Sequence, residues 1–193
     1  MSKSTRWLKP AVAGTRTCAI TITESGAGSD AAGIKSHAKR NAQGQWVLNG
    51  SKHFISDGEW SDFFLVSAKT GQKSDGTGGG AGEISMFMVD KGLPGFTVGK
   101  DQQMMGLRGT PHLELFFDNV VLEDAALLGE QGQGFKLAMG ALNVVRLAQV
   151  GARAVGKATH VCELMTAYAN DRKQFGKLHW RLSNGAAANW PTA

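Results

Sequence analysis

Apolar and polar residues alternate along much of the first 120 residues of the chain. The alternation begins at Cys18, Ile20 and Ile22, which single small or polar residues separate, and it ends at Glu24 before a glycine-containing loop. A period of two is typical of strands with one buried face. Further runs predict strands at residues 34–40, 63–68, 84–89, 96–98 and 113–121. About seven short strands favour a β-barrel or a β-sandwich.

Two connections between these strands have their own sequence signals. Residues 46–56 read as two extended runs around Asn49-Gly50, and Asn-Gly is a preferred pair for the type I′ turn, which predicts a hairpin here. Residues 71–82 contain six glycines and no large apolar residue, which predicts a loop. We expect the strands on either side of that loop, 63–68 and 84–89, to pair.

The period of the pattern changes at Gly134. From Phe135 to Asp171, apolar residues recur every three or four positions, which predicts one long helix or two helices broken near Asn143. Such a helix needs partners for its apolar stripe, and residues 178–193 carry no matching stripe. The predicted fold class is therefore α+β: an antiparallel β-barrel or sandwich domain, followed by a long helix or helix pair from an incomplete helical bundle.

Composition narrows the function classes. Lysine and arginine number 21 against 16 acidic residues, and the basic residues are spread along the chain. A nucleic-acid interface needs clustered basic residues, so nucleic-acid binding is disfavoured, whereas a mild positive charge suits a polyanionic coenzyme. Neither eighteen consecutive apolar residues nor a signal peptide is present, so we expect a soluble chain without a membrane span.

The remaining residue types offer few centres for chemistry. Cys18 and Cys162 are the two cysteines; we interpret both as core residues, and their number indicates a reducing compartment without a disulfide framework. The five histidines are scattered without ligand spacing, so no metal site is expected. Arg146 lies within the apolar part of the predicted helix. It is either a solvated side chain or an anchor for an anionic ligand.

The loop after the first strand is the best candidate for ligand binding. Gly26 and Gly28 flank Ala27, and such a loop lets backbone N–H groups approach a phosphate or the edge of a flavin, although an ordinary strand-ending turn explains the residues equally well. The spacing of Gly26, Gly28 and Ala31 also fits a dinucleotide-binding fingerprint. No amphipathic helix opens there, so we reject that interpretation.

Several segments, in order, resemble motifs of the acyl-CoA dehydrogenase family. Residues 23–30, TESGAGSD, are similar to the family's T-E-P-G-A-G-S-D, and residues 48–56, LNGSKHFIS, to its L-N-G-x-K-x-W-I-T. Further similar segments lie at residues 106–110, 117–120, 128–130, 132–135 and 171–177. The resemblance covers roughly residues 6–177.

The resemblance implies a domain organisation. Family members have an N-terminal helical domain, a middle β-barrel and a C-terminal helical bundle. Residues 1–16 are then the end of the first domain and a linker, and residues 17–125 the middle β-barrel. Residues 126–177 begin the C-terminal domain, and residues 178–193 form a divergent tail.

The resemblance also implies a cofactor, FAD, and the residues that hold it. Phe54 and Ser56 stand where the family has Trp and Thr, which keeps the aromatic face and the hydroxyl. The residues implied in FAD binding are Ile20, Ile22, Thr23, Gly28, Ser29, Phe54, Ile55, Ser56, Arg172 and Phe175. Substrate contacts are implied for Ser29, Asn143 and Arg146. Because the positions of Arg172 and Phe175 reach the flavin of a neighbouring subunit in the family, a homotetramer or homodimer is expected for the full-length parent.

The implied chemistry is α,β-dehydrogenation of an acyl-CoA thioester, with electrons passed to an electron-transfer flavoprotein, in the bacterial cytoplasm or the mitochondrial matrix. The alternatives are an acyl-CoA oxidase or flavin monooxygenase on the same scaffold, or a non-catalytic β module that binds a partner. Most family members carry the catalytic base in the C-terminal bundle, beyond residue 193, and one branch carries it where this chain has Val145, which cannot accept a proton. No catalytic residue is therefore expected in this chain, which alone is expected to be inactive.

Overall fold

The computed structural model describes residues 2–71 and 83–182. The chain divides into two compact units, Met1–Met139 and Gly140–Ala193. Almost all of the predicted glycine-rich loop, from residue 72 to residue 82, lies outside the described residues. So does most of the predicted tail, from residue 183 onwards.

Within its described residues, the first unit contains a short helical segment and eight strands. The helical segment Ser4–Leu8 continues into α1 (Lys9–Val12). The strands are β1 (Cys18–Thr21), β2 (His37–Arg40), β3 (Trp46–Ser56), β4 (Phe63–Gly71), β5 (Glu83–Asp90), β6 (Phe96–Asp101), β7 (His112–Leu122) and β8 (Leu127–Leu128). Single 3-10 turns cover Ala31–Gly33 and Asp124–Ala126.

All eight strands belong to one mixed sheet. Its order is β6-β7-β3-β2-β4-β5-β8, and β1 pairs in parallel with β4 outside this path. The predicted pairing across the glycine-rich segment is confirmed, because β4 and β5 are antiparallel, with Phe64 opposite Val89 and Ala68 opposite Ser85. The β2–β4 contact is also parallel. The predicted α+β fold class is thus confirmed, with two parallel pairings beside the antiparallel ones.

The core forms between the inward faces of these strands. Strand β7 shows this alternation: Leu113, Leu115 and Phe117 are buried, whereas Phe116 and Asp118, each next to Phe117, are exposed. The period of two predicted this alternation, because successive side chains of a strand point to opposite faces. Burial of apolar area in this cluster is the main source of stability for the unit.

The predicted hairpin at Asn49-Gly50 is wrong, because β3 runs without a turn from Trp46 to Ser56. Asn49 instead caps a bulge in the neighbouring strand, where its Oδ1 accepts a hydrogen bond from the N–H of Asn119 at 2.9 Å. A Cβ on Gly50 would lie 2.6 Å from Cα of Ser36, so glycine is required by the close approach of another chain segment.

The turn between β2 and β3 lies earlier, at Asn41 and Gly44. Gly44 has a φ of +77°, and the Oδ1 of Asn41 accepts hydrogen bonds from the N–H groups of Gln43 and Gln45. The strand predicted at residues 34–40 is correspondingly shorter. It begins at His37, after the 3-10 turn and an extended link.

The interpretation of both cysteines as core residues is also wrong, since Cys18 and Cys162 are exposed. In β1 the buried positions are Ala19 and Thr21, and Ile20 is half-buried. The buried face of this strand is therefore the one that carries the smaller side chains, opposite to the face that the apolar pattern indicated.

The second unit is dominated by a helix, α2 (Gly134–Asp171), which begins in the first unit and continues unbroken past Asn143. A two-strand hairpin follows it, β9 (Lys173–Gln174) and β10 (Lys177–Leu178), and then a 3-10 turn at His179–Arg181. Large apolar side chains of α2 are exposed: Val144, Leu147, Val150, Val155, Val161, Leu164, Met165 and Tyr168. Across residues 2–71 and 83–182, no helix combines the length and the apolar character needed to cross a membrane.

Candidate functional site

Two segments implied in cofactor binding lie side by side in the first unit. The chain leaves β1 at Thr21 and runs past the end of β3, where the carbonyl oxygen of Thr23 accepts a hydrogen bond from the N–H of His53 at 2.9 Å. This bond brings Ile22 and Thr23 next to Phe54. The structure therefore joins the loop motif and the β3 motif, which are thirty residues apart in sequence.

Phe54 has an unusual backbone conformation for a bulky residue. Its φ is +57°, in the left-handed region, and it lies where the β3–β7 register shifts between Lys52 and Ile55. Its side chain is 49% exposed, whereas that of Ile55 is buried in the main core. Left-handed backbone at a non-glycine residue costs on the order of 1–3 kcal/mol, and such strain clusters at ligand sites.

The neighbouring residues of the predicted site differ in the groups that they can offer. Ile55 can contribute only backbone atoms, because its side chain packs in the core. Ser56 is exposed at the end of β3, opposite His112. Ile20 and Ile22 are half-buried, so they keep apolar surface available outside the core.

The loop at residues 24–30 presents unbonded backbone N–H groups. Glu24 and Ala27 exchange two backbone hydrogen bonds of 3.1 Å, which close a tight turn. The N–H groups of Gly28 and Ser29, which follow this turn, bond to no other described residue, and both residues are exposed. A Cβ on Gly28 would meet nothing within 4 Å, so open space adjoins these groups. Such N–H groups suit the oxygens of a phosphate.

A buried ion pair that the sequence analysis missed connects the same segments. Nζ of Lys52 lies 2.8 Å from Oε1 of Glu24, and the lysine side chain is 0% exposed. The ammonium also donates to the carbonyl oxygen of Ile22 and to Oγ of Ser67, both at 3.1 Å. In β3, Trp46, Leu48 and Lys52 share one phase of the alternation, so reading residues 46–56 as a single strand would have placed Lys52 on the inward face.

The surroundings of this pair shift both pKa values downward. Burial lowers the pKa of Lys52 to about 8, against the opposing influence of the Glu24 carboxylate. Burial alone would raise the pKa of Glu24, but hydrogen bonds from Lys52, Ser36 and the N–H of Lys35 outweigh it, and the pKa lies below its ordinary value. The 2.8 Å contact between Nζ of Lys52 and Oε1 of Glu24 itself favours the charged form of both side chains.

A cleft of about 550 Å³ begins at the first residues of the same loop. Its walls include Glu24, Ser25 and Gly26 and side chains of β2, β3 and β7, among them the exposed ring of Phe116. None of the residues implied in FAD or substrate binding lines this cleft among the described residues. A hydrogen bond joins Thr23 to His53, the residue before Phe54, whereas no hydrogen bond between described residues joins Ser29 to Ser56.

The remaining predicted residues lie in the second unit. Asn143 and Arg146 are exposed on α2 and three residues apart, so they lie on the same side of the helix. Phe175 and Gly176 form the two-residue turn between β9 and β10, with φ values of +50° and +71°. Arg172, which precedes this hairpin, is exposed, and the Phe175 ring is almost fully exposed. Both side chains are accessible within their unit.

Comparisons with known proteins match both parts of the chain. The family profile described as "Acyl-CoA dehydrogenase, middle domain" matches residues 19–120, and "Acyl-CoA dehydrogenase, C-terminal domain" matches residues 132–183. The short-chain specific acyl-CoA dehydrogenase of Megasphaera elsdenii is 40% identical over 172 residues, which are 89% of this chain and 43% of that protein. The chain thus spans less than half the length of this relative.

Solved structures agree with the sequence comparison. Butyryl-CoA dehydrogenase from Megasphaera elsdenii superposes with a TM-score of 0.78 at 37% identity, covering 92% of this chain and 45% of the other. Acyl-CoA dehydrogenase complexed with FAD from Bacillus anthracis gives 0.77 at 32% identity, covering 91% of this chain and 29% of the other. The middle-domain match alone covers more than half of the residues, and the chain belongs to the acyl-CoA dehydrogenase family.

Proposed function

We propose that this chain is the flavin-facing part of an FAD-dependent acyl-CoA dehydrogenase. The observation that supports the proposal is the hydrogen bond between Thr23 and His53, which joins the segment leading into the loop with unbonded N–H groups to the strand that carries the exposed, left-handed Phe54. A flat ligand with phosphate groups fits such a pairing, because it needs both an aromatic contact and donors for its oxygens. The FAD-bound relative from Bacillus anthracis supports the choice of this ligand.

The described residues fit FAD in chemical type. The N–H groups of Gly28 and Ser29 would bind pyrophosphate oxygens, and the Phe54 ring would cover one face of the isoalloxazine and exclude water from it. Ile20, Ile22, Thr23, Ile55 and Ser56 would line the flavin, the last through its hydroxyl. Bound FAD would supply the acceptor for the hydride that leaves the β-carbon of the substrate.

The proposed substrate is an acyl-CoA thioester. Ser29 would contact the CoA portion as well as the cofactor, and the exposed Asn143 and Arg146 on α2 would bind substrate groups, the guanidinium by its charge. We further propose that the full-length protein is a homodimer or homotetramer, in which Arg172 and Phe175 reach the flavin of a neighbouring subunit. Electrons would then pass to an electron-transfer flavoprotein.

Flavin binding by the purified chain tests the proposal directly. We expect the chain to quench the fluorescence of added FAD in a saturable way. Replacing Phe54 by Ala should weaken binding about tenfold, since stacking on an aromatic side chain contributes roughly 1–3 kcal/mol. The matched control is Phe116→Ala, which removes another exposed ring, 40% accessible, from the same sheet but outside the proposed site.

The control also defines the results that contradict the proposal. Saturable binding that both phenylalanine variants weaken equally would mean that the ring of Phe54 has no special contact with the flavin. A wild-type chain that leaves FAD fluorescence unchanged at every concentration would remove the basis for the cofactor assignment.

A further inference from the structure

A fully buried lysine needs an explanation beyond stability. Lys52 and Glu24 form their pair inside the sheet unit, where two charges lose their hydration. Apolar residues of similar size in place of such a pair often leave stability unchanged or improve it. A buried pair of this kind is therefore poorly explained as a device for holding the fold together. The buried pair adds directional contacts, which apolar packing lacks.

The contacts of the pair converge on the segment that leaves β1. Lys52 donates to the carbonyl oxygen of Ile22 and to the Glu24 carboxylate, and between these two the carbonyl oxygen of Thr23 accepts from His53. Three consecutive residues of the loop are thus bonded to two consecutive residues of β3. A slip of the loop along the strand would break all of these bonds together.

The same pair reaches two further parts of the sheet. Oγ of Ser67 on β4 accepts from Lys52 and donates to the carbonyl oxygen of Thr21. The Glu24 carboxylate accepts the N–H groups of Lys35 and Ser36 ahead of β2, at 2.6 and 3.1 Å. The hydrogen bonds of the Glu24–Lys52 pair therefore hold the loop against β2, β3 and β4 at the same time.

We propose that the Glu24–Lys52 pair is the positioning element of the flavin site. It fixes Ile22, Thr23 and the loop that follows them against the Phe54 end of β3. This inference rests on the proposed function, because its purpose is to hold two halves of one cofactor site in register. The side chains of Glu24 and Lys52 would not contact the flavin themselves. They act through the backbone of Ile22 and Thr23 and through the strand that carries Phe54.

The decisive experiment compares a single and a double variant. In Lys52→Met the Glu24 charge is left buried without its partner, so we expect a lower Tm and at least tenfold weaker FAD binding. In Glu24→Leu/Lys52→Met the buried charge is gone, so the Tm should recover toward that of the wild type. FAD affinity should stay at least tenfold below wild type, because the directional bonds are still absent. The visible circular dichroism of the bound flavin should also differ from that of the wild type.

The control is a half-buried carboxylate of the same unit, Asp90. Asp90 accepts hydrogen bonds from Arg6, Trp7 and Arg16, and Asp90→Asn weakens that cluster without touching the loop. With all proteins folded at the assay temperature, Asp90→Asn should lower the Tm and leave FAD affinity within twofold of wild type. Equal losses of affinity in Asp90→Asn and Lys52→Met, or full recovery of affinity in the double variant, would overturn the proposal.

A readout without flavin separates the two proposals and covers a double variant that does not fold. Amide hydrogen exchange at His53 reports the bond to Thr23, and in Lys52→Met it should speed up at least tenfold more than exchange in β5. An unchanged relative rate would overturn the positioning role. Absence of FAD binding by the wild type would instead contradict the proposed function, whatever the exchange rates.

Discussion

The two units of the chain place their apolar side chains in opposite ways. In β7 of the sheet unit, the apolar residues that the alternation selects are buried, and Leu115 is 0% exposed. In the second unit, the residues that form the helical stripe remain on the surface of α2, and Leu147 is 79% exposed. Two equally clear apolar patterns thus contribute differently to the stability of the chain. The first unit gains its stability from burial, whereas the stripe of α2 contributes little to the stability of the chain as described.

The largest expected difference comes from the same substitution made in both units. Leu115→Ala should lower the free energy of unfolding by about 2–5 kcal/mol, because it removes buried methyl groups and leaves a cavity. Leu147→Ala should change it by no more than about 0.5 kcal/mol, since an exposed leucine has no cavity to leave. Urea denaturation of the two variants measures both values. Similar losses in the two variants would show that α2 buries this face in solution.

A second comparison uses glycine, with effects of opposite sign. Gly50→Ala should destabilise the chain by about 1–3 kcal/mol, because φ is +140° and the new Cβ would meet the backbone of Ser36. Gly151→Ala, within α2, has open space around its Cβ and should stabilise by roughly 0.5–1 kcal/mol through helix propensity. Thermal unfolding followed by circular dichroism distinguishes the signs. A neutral Gly50→Ala variant would contradict the close packing of β3 on Ser36.

The smallest expected effect is the change with pH in the stability difference between wild type and one variant, and it again belongs to the sheet unit. The folded-state pKa of Glu24 lies below the ordinary value of 4.5, so the unfolded chain binds this proton first as the pH falls. The stability that the carboxylate contributes is complete above pH 4.5 and is lost as the pH falls through the folded pKa. Glu24→Gln should therefore be less stable than wild type at pH 7, with a smaller gap at pH 3. Urea midpoints at both pH values measure the gap, and a constant gap would contradict the pKa shift.

The sequence predicted the sheet where each signal was local. Strand β7 follows its alternation because one face packs in the core, β4 and β5 are apolar runs buried on both faces, and the helix follows its own period. The hairpin prediction failed because Asn49 bonds to Asn119 and Gly50 packs closely against Ser36. A pattern of a few consecutive residues reveals neither contact, because both partners are distant in sequence. The same error had a second consequence. Because β3 was divided at Gly50, its alternation did not predict that Lys52 faces inward.

The motifs predict residues for the candidate site but not their arrangement. The motifs identified Thr23 and Phe54, while the hydrogen bond through His53 and the left-handed backbone of Phe54 depend on the register between segments distant in sequence. The phase of β1 was missed for a related reason. Thr21 satisfies its hydroxyl by donating to the carbonyl oxygen of Leu65 on the paired strand β4, which makes a threonine acceptable in the interior.

The exposed cysteines have a practical consequence. Cys18 lies at the start of β1 and Cys162 lies in the last third of α2, so each unit carries one native thiol at its surface. Maleimide or nitroxide reagents can therefore attach one label to each unit of the unmodified sequence. Double electron–electron resonance between the two labels would read out their separation, and repeating the measurement after adding FAD would follow any movement that accompanies ligand uptake.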